Sequence, residues 1–189
     1  YWGALAKAGE SDRVIFKAKR GRIIVFDLQG KSLGSKANEL VLTLTDSRGR
    51  VLARSREGGE PFLSYKIPAD GSYVAQIVDQ QRQGSADHFY RLTLGALPYV
   101  TGFYPGTLPR GKQTSIELIG HNLPSRTFDV TPKAKGDFTL PLDSSRFRFR
   151  KPFKAKVSDA ATTLETEPNH QPAQARLQIL PAKINGRIW

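Results

Sequence analysis

The stretch LSYKIPADGSYVAQIVDQQRQGSADHFYRLTLG, residues 63–95, decides how the first half of this chain folds. Within it, residues 72–79 and 89–94 alternate apolar and polar side chains with the two-residue period of a β-strand. Tyr73, Ala75 and Ile77 share one face of the first strand, and Tyr90, Leu92 and Leu94 share one face of the second. Val74 and Val78 add apolar groups to the other face of the first strand, which places it inside a sandwich. Ala69-Asp70-Gly71 reads as the turn before it, and a polar loop of Gln, Gly, Ser and Asp joins the two strands.

Working outward, residues 12–18 form the first clear strand, with Val14 and Phe16 facing one way. Lys19-Arg20-Gly21 is a tight turn into residues 22–28, where Ile24, Phe26 and Leu28 line one face and Ile23 and Val25 the other. Residues 40–46 alternate again with Leu40, Leu42 and Leu44 inward. Ser47-Arg48-Gly49 turns the chain into a short return strand at 51–53. Closely spaced turn signals and the lack of an amphipathic helical pattern make residues 1–97 an antiparallel β-sandwich.

DRVIFKAKRGRIIVFDL, LGSKANELVLTLTDSRGRVLA, IPADGSYVAQIVD and FYRLTLG follow one another in this half. In order and spacing they resemble bacterial pre-peptidase C-terminal domains. The resemblance implies a jelly-roll-like sandwich from a secreted or cell-surface bacterial protein, without catalytic activity, that binds matrix or polysaccharide. It also implies an extracellular, cell-surface or periplasmic location. In some members calcium stiffens the fold, but acidic positions of the family are here Asn38 and the pair Arg56-Glu57. An arginine there removes an oxygen ligand and adds a repelling charge. Asp46, Glu57, Asp70 and Asp79 remain as weak calcium candidates, each equally readable as a solvated turn acid, and no cofactor is expected.

After Leu97-Pro98 the pattern changes. YVTGFYPGTLPRGKQTSIELIGHNLP is similar to the opening of an immunoglobulin-like TIG module, with Ile116 and Leu118 on the inward face of its alternating strand. Further strands are expected at 138–142, 146–150 and 153–157, which gives a second, smaller sandwich over 98–159. Residues 160–189 read as a linker and the entry strand of another pre-peptidase-like repeat, because ETEPNHQPAQARLQILPAKINGRI resembles that family's entry segment. Asn185-Gly186-Arg187-Ile188 aligns with Trp2-Gly3-Ala4-Leu5, so the chain spans almost one period of a two-domain repeat. The first sandwich would then lack its own entry strand. Residues 165–188, and 175–180 in particular, would dock on the first sandwich of the same or a neighbouring chain.

The composition bounds the chemistry. Twelve prolines and 17 glycines favour short strands over long helices. The chain has no cysteine, so neither a disulfide framework nor a thiolate metal site is available. No apolar run approaches the roughly 18 residues of a membrane span. With Tyr1 in place of Met and no signal-like opening, the sequence reads as an internal piece of a longer or processed polypeptide. Twenty-nine Lys and Arg against 17 acids leave a net charge of +12, which favours polyanionic partners. Nucleic acid fits the charge, but no nucleic-acid-binding motif accompanies it.

Gly30-Lys31-Ser32-Leu33-Gly34 matches the G-x-S-x-G nucleophile elbow, but a polar loop and a strand follow it where that motif needs a helix. His88, His121 and His170 are scattered, without the spacing of a triad or of a zinc site. The chain is therefore read as a binding or architectural module and not an enzyme. Its most distinctive feature is Arg146-Phe147-Arg148-Phe149-Arg150-Lys151, continuing to Lys154 and Lys156. On a strand the three arginines would share one face while Phe147 and Phe149 enter the core. Such a row suits an acidic polysaccharide or matrix polymer, since arginine offers planar, bidentate hydrogen bonds to carboxylate or sulfate. The alternative is an edge strand protected from aggregation by its charges. Trp2, Tyr99 and Tyr104, near turns or the chain start, are the candidates for stacking on sugar rings.

Overall fold

The computed structural model describes residues 1–56 and 59–187. Among these residues the chain is all β apart from two single-turn 3-10 helices, Lys31–Leu33 and Pro172–Gln174, and it divides into two compact units, Tyr1–Leu97 and Pro98–Trp189.

The first unit contains β1 (Trp2–Ala4), β2 (Ser11–Ala18), β3 (Ile23–Gln29), β4 (Leu40–Asp46), β5 (Val51–Arg54), β6 (Phe62–Lys66), β7 (Gly71–Asp79) and β8 (Phe89–Gly95). They pair antiparallel in two four-stranded sheets, ordered β1-β8-β3-β6 and β2-β7-β4-β5. The alternating positions meet between the sheets: Phe26, Leu28, Leu42, Leu44, Ala75, Ile77, Tyr90 and Leu92 are all fully buried in one cluster. The Tyr90 hydroxyl donates to Asp12 Oδ2 at 2.5 Å, tying β8 of one sheet to β2 of the other. Burial raises the Tyr90 phenol above its ordinary pKa, and Asp12 adds to the effect, so the donor proton is retained.

Two strands escape the alternation rule. Phe62, Leu63, Ser64 and Tyr65 of β6 are all half-buried, so the strand has no polar face to mark its period. β1 has only three residues, too few for a periodic signal. It pairs with β8 through Gly3 opposite Tyr90, where an ideal Cβ would lie 2.4 Å from the Tyr90 hydroxyl. The first sandwich therefore possesses the edge strand it was expected to lack.

The second unit contains β9 (Tyr99–Tyr104), β10 (Thr107–Pro109), β11 (Thr114–His121), β12 (Thr127–Val130), β13 (Gly136–Thr139), β14 (Lys154–Ser158), β15 (Ala161–Leu164) and β16 (Ala182–Asn185). One sheet is antiparallel, β12-β11-β9, and the other, β10-β14-β13, is mixed. Val100, Leu108, Ile116, Leu118, Leu140, Phe147, Ala155 and Val157 form its core. It departs from an all-antiparallel sandwich because β10 pairs with β14 in parallel, as does β15 with β16. Parallel partners need a long crossover, and each of these pairs is separated by the intervening chain that supplies one.

Residues 161–187 belong to this second unit instead of forming a separate piece after residue 159. Asn185 is the fastener: its side chain accepts from Thr107 N at 2.9 Å and donates to Thr107 O at 3.1 Å, while its carbonyl accepts from the Tyr104 hydroxyl at 2.7 Å. Residues 175–180, expected to form a docking strand, lie outside the strands, and Leu177, Ile179 and Leu180 are 96%, 85% and 83% exposed.

Candidate polyanion-binding surface

The basic row begins in a turn made by Asp143. Its carboxylate accepts from Ser145 N at 2.8 Å and Ser145 Oγ at 2.7 Å, and its carbonyl accepts from Arg146 N and Phe147 N. Arg146 therefore lies in a turn, where its guanidinium sits 5.9 Å from the Phe147 ring centre. Arg148 makes an isolated parallel bridge to Tyr99, donating its backbone N–H to Pro98 O and accepting from Val100 N, each at 2.8 Å. Residues 146–150 are thus not the regular strand that was expected. The turn consumes the first residues, and Pro152, which has no N–H to give a ladder, ends the stretch before β14.

The facing of the side chains survives this correction. Arg146, Arg148, Arg150 and Lys151 are exposed, Phe147 is buried, and Phe149 is half-buried against Phe153 at 6.1 Å between ring centres. Lys154 and Lys156 point out of β14 between the buried Ala155 and Val157. Both meet one acid: Lys156 Nζ pairs with Asp137 on the neighbouring strand, and Lys154 Nζ lies 4.0 Å from it. Their ammonium groups, that of Lys156 foremost, hold the Asp137 carboxyl below its ordinary pKa. The lysine end of the row is therefore partly neutralised.

The aromatic candidates separate. Tyr99 is buried, 4% exposed, at the start of β9, where its backbone lies between β11 and the bridge to Arg148, and it cannot stack on a sugar. Tyr104 has one face covered by the Arg187 guanidinium, 3.9 Å from the ring centre, and Arg187 also pairs with Glu117 at 2.5 Å. Trp2 keeps an exposed indole, with the Arg91 guanidinium 5.7 Å from its ring centre.

The described calcium candidates, Asp46, Asp70 and Asp79, are not brought together. Asp46 accepts from Arg48 N, Arg50 N and Arg50 Nε, and these donors, the Arg50 N–H first, hold its carboxyl low. Asp70 accepts from Arg20 N at 2.7 Å and Lys19 Nζ at 3.1 Å, and Asp79 accepts from Gln81 N and Gln83 N. Glu57 lies outside the described residues. Among the described residues no group of three or more His, Asp or Glu side chains is arranged to hold a metal ion.

Ser32 of the G-x-S-x-G match lies in a 3-10 turn with its N–H bonded to Glu60. Ser85 Oγ lies 2.8 Å from His88 Nδ1, but His88 is buried and the Asp87 carboxylate is paired with Lys36 at 2.8 Å. This contact closes a local turn.

The strand-and-turn reading of residues 12–28 passes over a second basic surface. Lys17, Lys19 and Arg22 line a cleft of about 610 Å³ in the first unit, with Asp70 and Ser72 brought across to them. The dense charge of KAKRGR was legible, but the acid and hydroxyl opposite it come from the pairing of Lys17 with Ser72.

No family model and no curated protein matches the chain. Among solved structures, it is similar to the pre-peptidase C-terminal domain of collagenase from Bacillus anthracis, at 14% sequence identity and a TM-score of 0.39, covering 50% of this chain and 86% of that one.

Proposed function

We propose that the chain is a non-catalytic binding module of a secreted or cell-surface multidomain protein, holding acidic polysaccharide or matrix polymer through the arginine row of its second unit. The first unit is read as a pre-peptidase-like sandwich and the second as a TIG-like one, on the sequence resemblances given above. The observation that carries the reading is the alternation at 146–150. Three arginines are exposed at every second residue while the phenylalanines between them turn inward. Cations exposed at every second residue along one side suit a polymer with regularly placed anionic groups.

A panel of acidic and neutral polysaccharides at low and high salt tests it. Salt-sensitive binding to acidic polymers, clearly weakened by changing Arg146, Arg148 and Arg150 together to serine, is expected. Binding of unchanged affinity after this change removes the row from recognition.

A second reading, an architectural repeat that assembles by strand addition, is favoured by the exposed Leu177, Ile179 and Leu180. Three large exposed apolar side chains in a segment outside the strands are suited to the open sheet edge of a second copy. Concentration-dependent association in sedimentation velocity, lost when Leu177 and Ile179 become serine, would support it. A monomer at all concentrations would remove it.

A further inference from the structure

The first unit carries a feature the row does not explain. The β2–β3 turn, residues 17–22, places Lys17, Lys19, Arg20 and Arg22 at one end of the sandwich, and Lys66 is exposed beside them on β6, opposite Ile23. Gly21, at φ +80°, makes the tight turn possible, and its N–H donates to Ile67 O at 2.8 Å, fixing the turn to the end of β6. Among these cations Lys19 pairs with Asp70 at 3.1 Å, whereas Lys17 and Arg22 make no ion pair among the described residues. Like charges held together without counter-charge concentrate a positive potential over the cleft they rim.

The lining says which anions suit it. Lys17, Lys19 and Arg22 supply cationic donors, Asp70 and Ser72 supply acceptors, and Ala18, Ile24 and Ala96 are apolar. Asp70 is locked by the Arg20 N–H at 2.7 Å, so its carboxylate is held in place at the rim. A site for phosphate alone gains nothing from a carboxylate, which repels it. A sugar unit presents hydroxyl donors for Asp70 and Ser72 along with its acidic group for Lys17 and Arg22. Among the described residues that line the cleft there is no aromatic ring, so successive nucleobases find no stacking platform there.

We propose that this cleft is a second, separate anion site, binding one acidic saccharide unit with its carboxylate or sulfate on Lys17 and Arg22 and its hydroxyls on Asp70 and Ser72. It extends the polyanion reading to the first unit but stands on its own residues, so either site can fail without the other.

Calorimetric titration of the full chain with oligogalacturonate, a heparin-derived oligosaccharide and oligothymidylate tests it, using three variants. Lys17→Ser with Arg22→Ser is expected to weaken oligosaccharide binding by about tenfold or more, the loss of at least one charge-assisted hydrogen bond. Arg148→Ser with Arg150→Ser leaves this component of binding in place, which separates the cleft from the row. Asp70→Asn, which keeps the shape and the acceptor for Arg20 N, is expected to weaken oligosaccharide binding and leave oligothymidylate binding equal or tighter. Whether the uronic or the sulfated oligomer binds more tightly distinguishes carboxylate from sulfate as the natural group. Unchanged oligosaccharide affinity in the Lys17/Arg22 variant, with an unchanged melting temperature, overturns the proposal. Oligothymidylate binding tighter than either saccharide and lost in that variant overturns it in favour of nucleic acid.

Discussion

In the first unit, β7 alternates buried and half-buried residues and is hydrogen-bonded on both sides, to β2 and to β4. In the second unit, residues 146–150 alternate just as strictly between exposed arginine and inward phenylalanine, yet Arg148 alone makes a bridge. The same period thus arises with and without a sheet. Alternation reports that one side of the backbone packs on a core. A ladder needs, in addition, neighbouring strands with unpaired N–H and C=O groups at matching register. The consequence for function is that the arginines are held by the core packing of their phenylalanines and by a turn at Asp143, with little sheet to fix them.

The largest expected effects test that contrast in packing. Phe26→Ala, at a fully buried position of the first core, is expected to cost about 3–5 kcal/mol in urea unfolding. Phe147→Ala, 9% exposed, is expected near or below the low end of that range, about 3 kcal/mol. It should also weaken polyanion binding, because it frees the arginines on either side. A cost at Phe147 no greater than that of a surface change would mean that the phenylalanines do not hold the row.

Next comes the backbone that Arg148 leans on. At Gly120 the β9–β11 pairing shifts register, and an ideal Cβ there would lie 2.1 Å from Tyr99 O. Gly120→Ala should therefore cost about 1–3 kcal/mol or more in thermal unfolding, since the obstacle is backbone. It should also disturb Arg148, whose bridge is to Tyr99. A neutral outcome would show that β9 can move away from β11 freely.

The smallest effect on stability and the sharpest on function is expected at Asp137. Lys156 first, and Lys154 with it, hold its carboxyl below the ordinary range. This pairing is fully present above the unfolded carboxyl pKa of about 3.9 and is lost as pH falls through the lowered folded value. A ligand that stays anionic in acid, such as dextran sulfate, should bind more tightly across that fall, as the two lysines are released. Asp137→Asn should bind dextran sulfate more tightly at neutral pH, and the acid-dependent gain should shrink relative to the parent. Identical pH profiles for the two proteins would mean that these lysines take no part.

Much of the first unit was legible because its strands are long, amphipathic and joined by short turns. Leu40, Leu42 and Leu44, Tyr73, Ala75 and Ile77, and Ile24, Phe26 and Leu28 all face the core as their spacing implies. β1 was not legible, because three residues carry no period, nor was β6, whose residues are half-buried on both faces. In the second unit the parallel pairing of β10 with β14 could not be read, since register between distant segments leaves no local pattern. Of the candidate site, the exposure of the arginines followed from alternation. The burial of Tyr99, the covering of Tyr104 by Arg187 and the neutralisation of Lys156 by Asp137 all depend on contacts distant in sequence.

The most direct test of the central claim is the salt dependence of binding to a sulfated polysaccharide, measured for the parent chain and for the Arg146/Arg148/Arg150 serine variant. If the row neutralises anionic groups, log K falls steeply with log salt for the parent, and the slope becomes shallower in the variant as fewer counterions are released. Equal slopes and equal affinities for two equally stable proteins would contradict the account and leave the second unit without a polyanion-binding role.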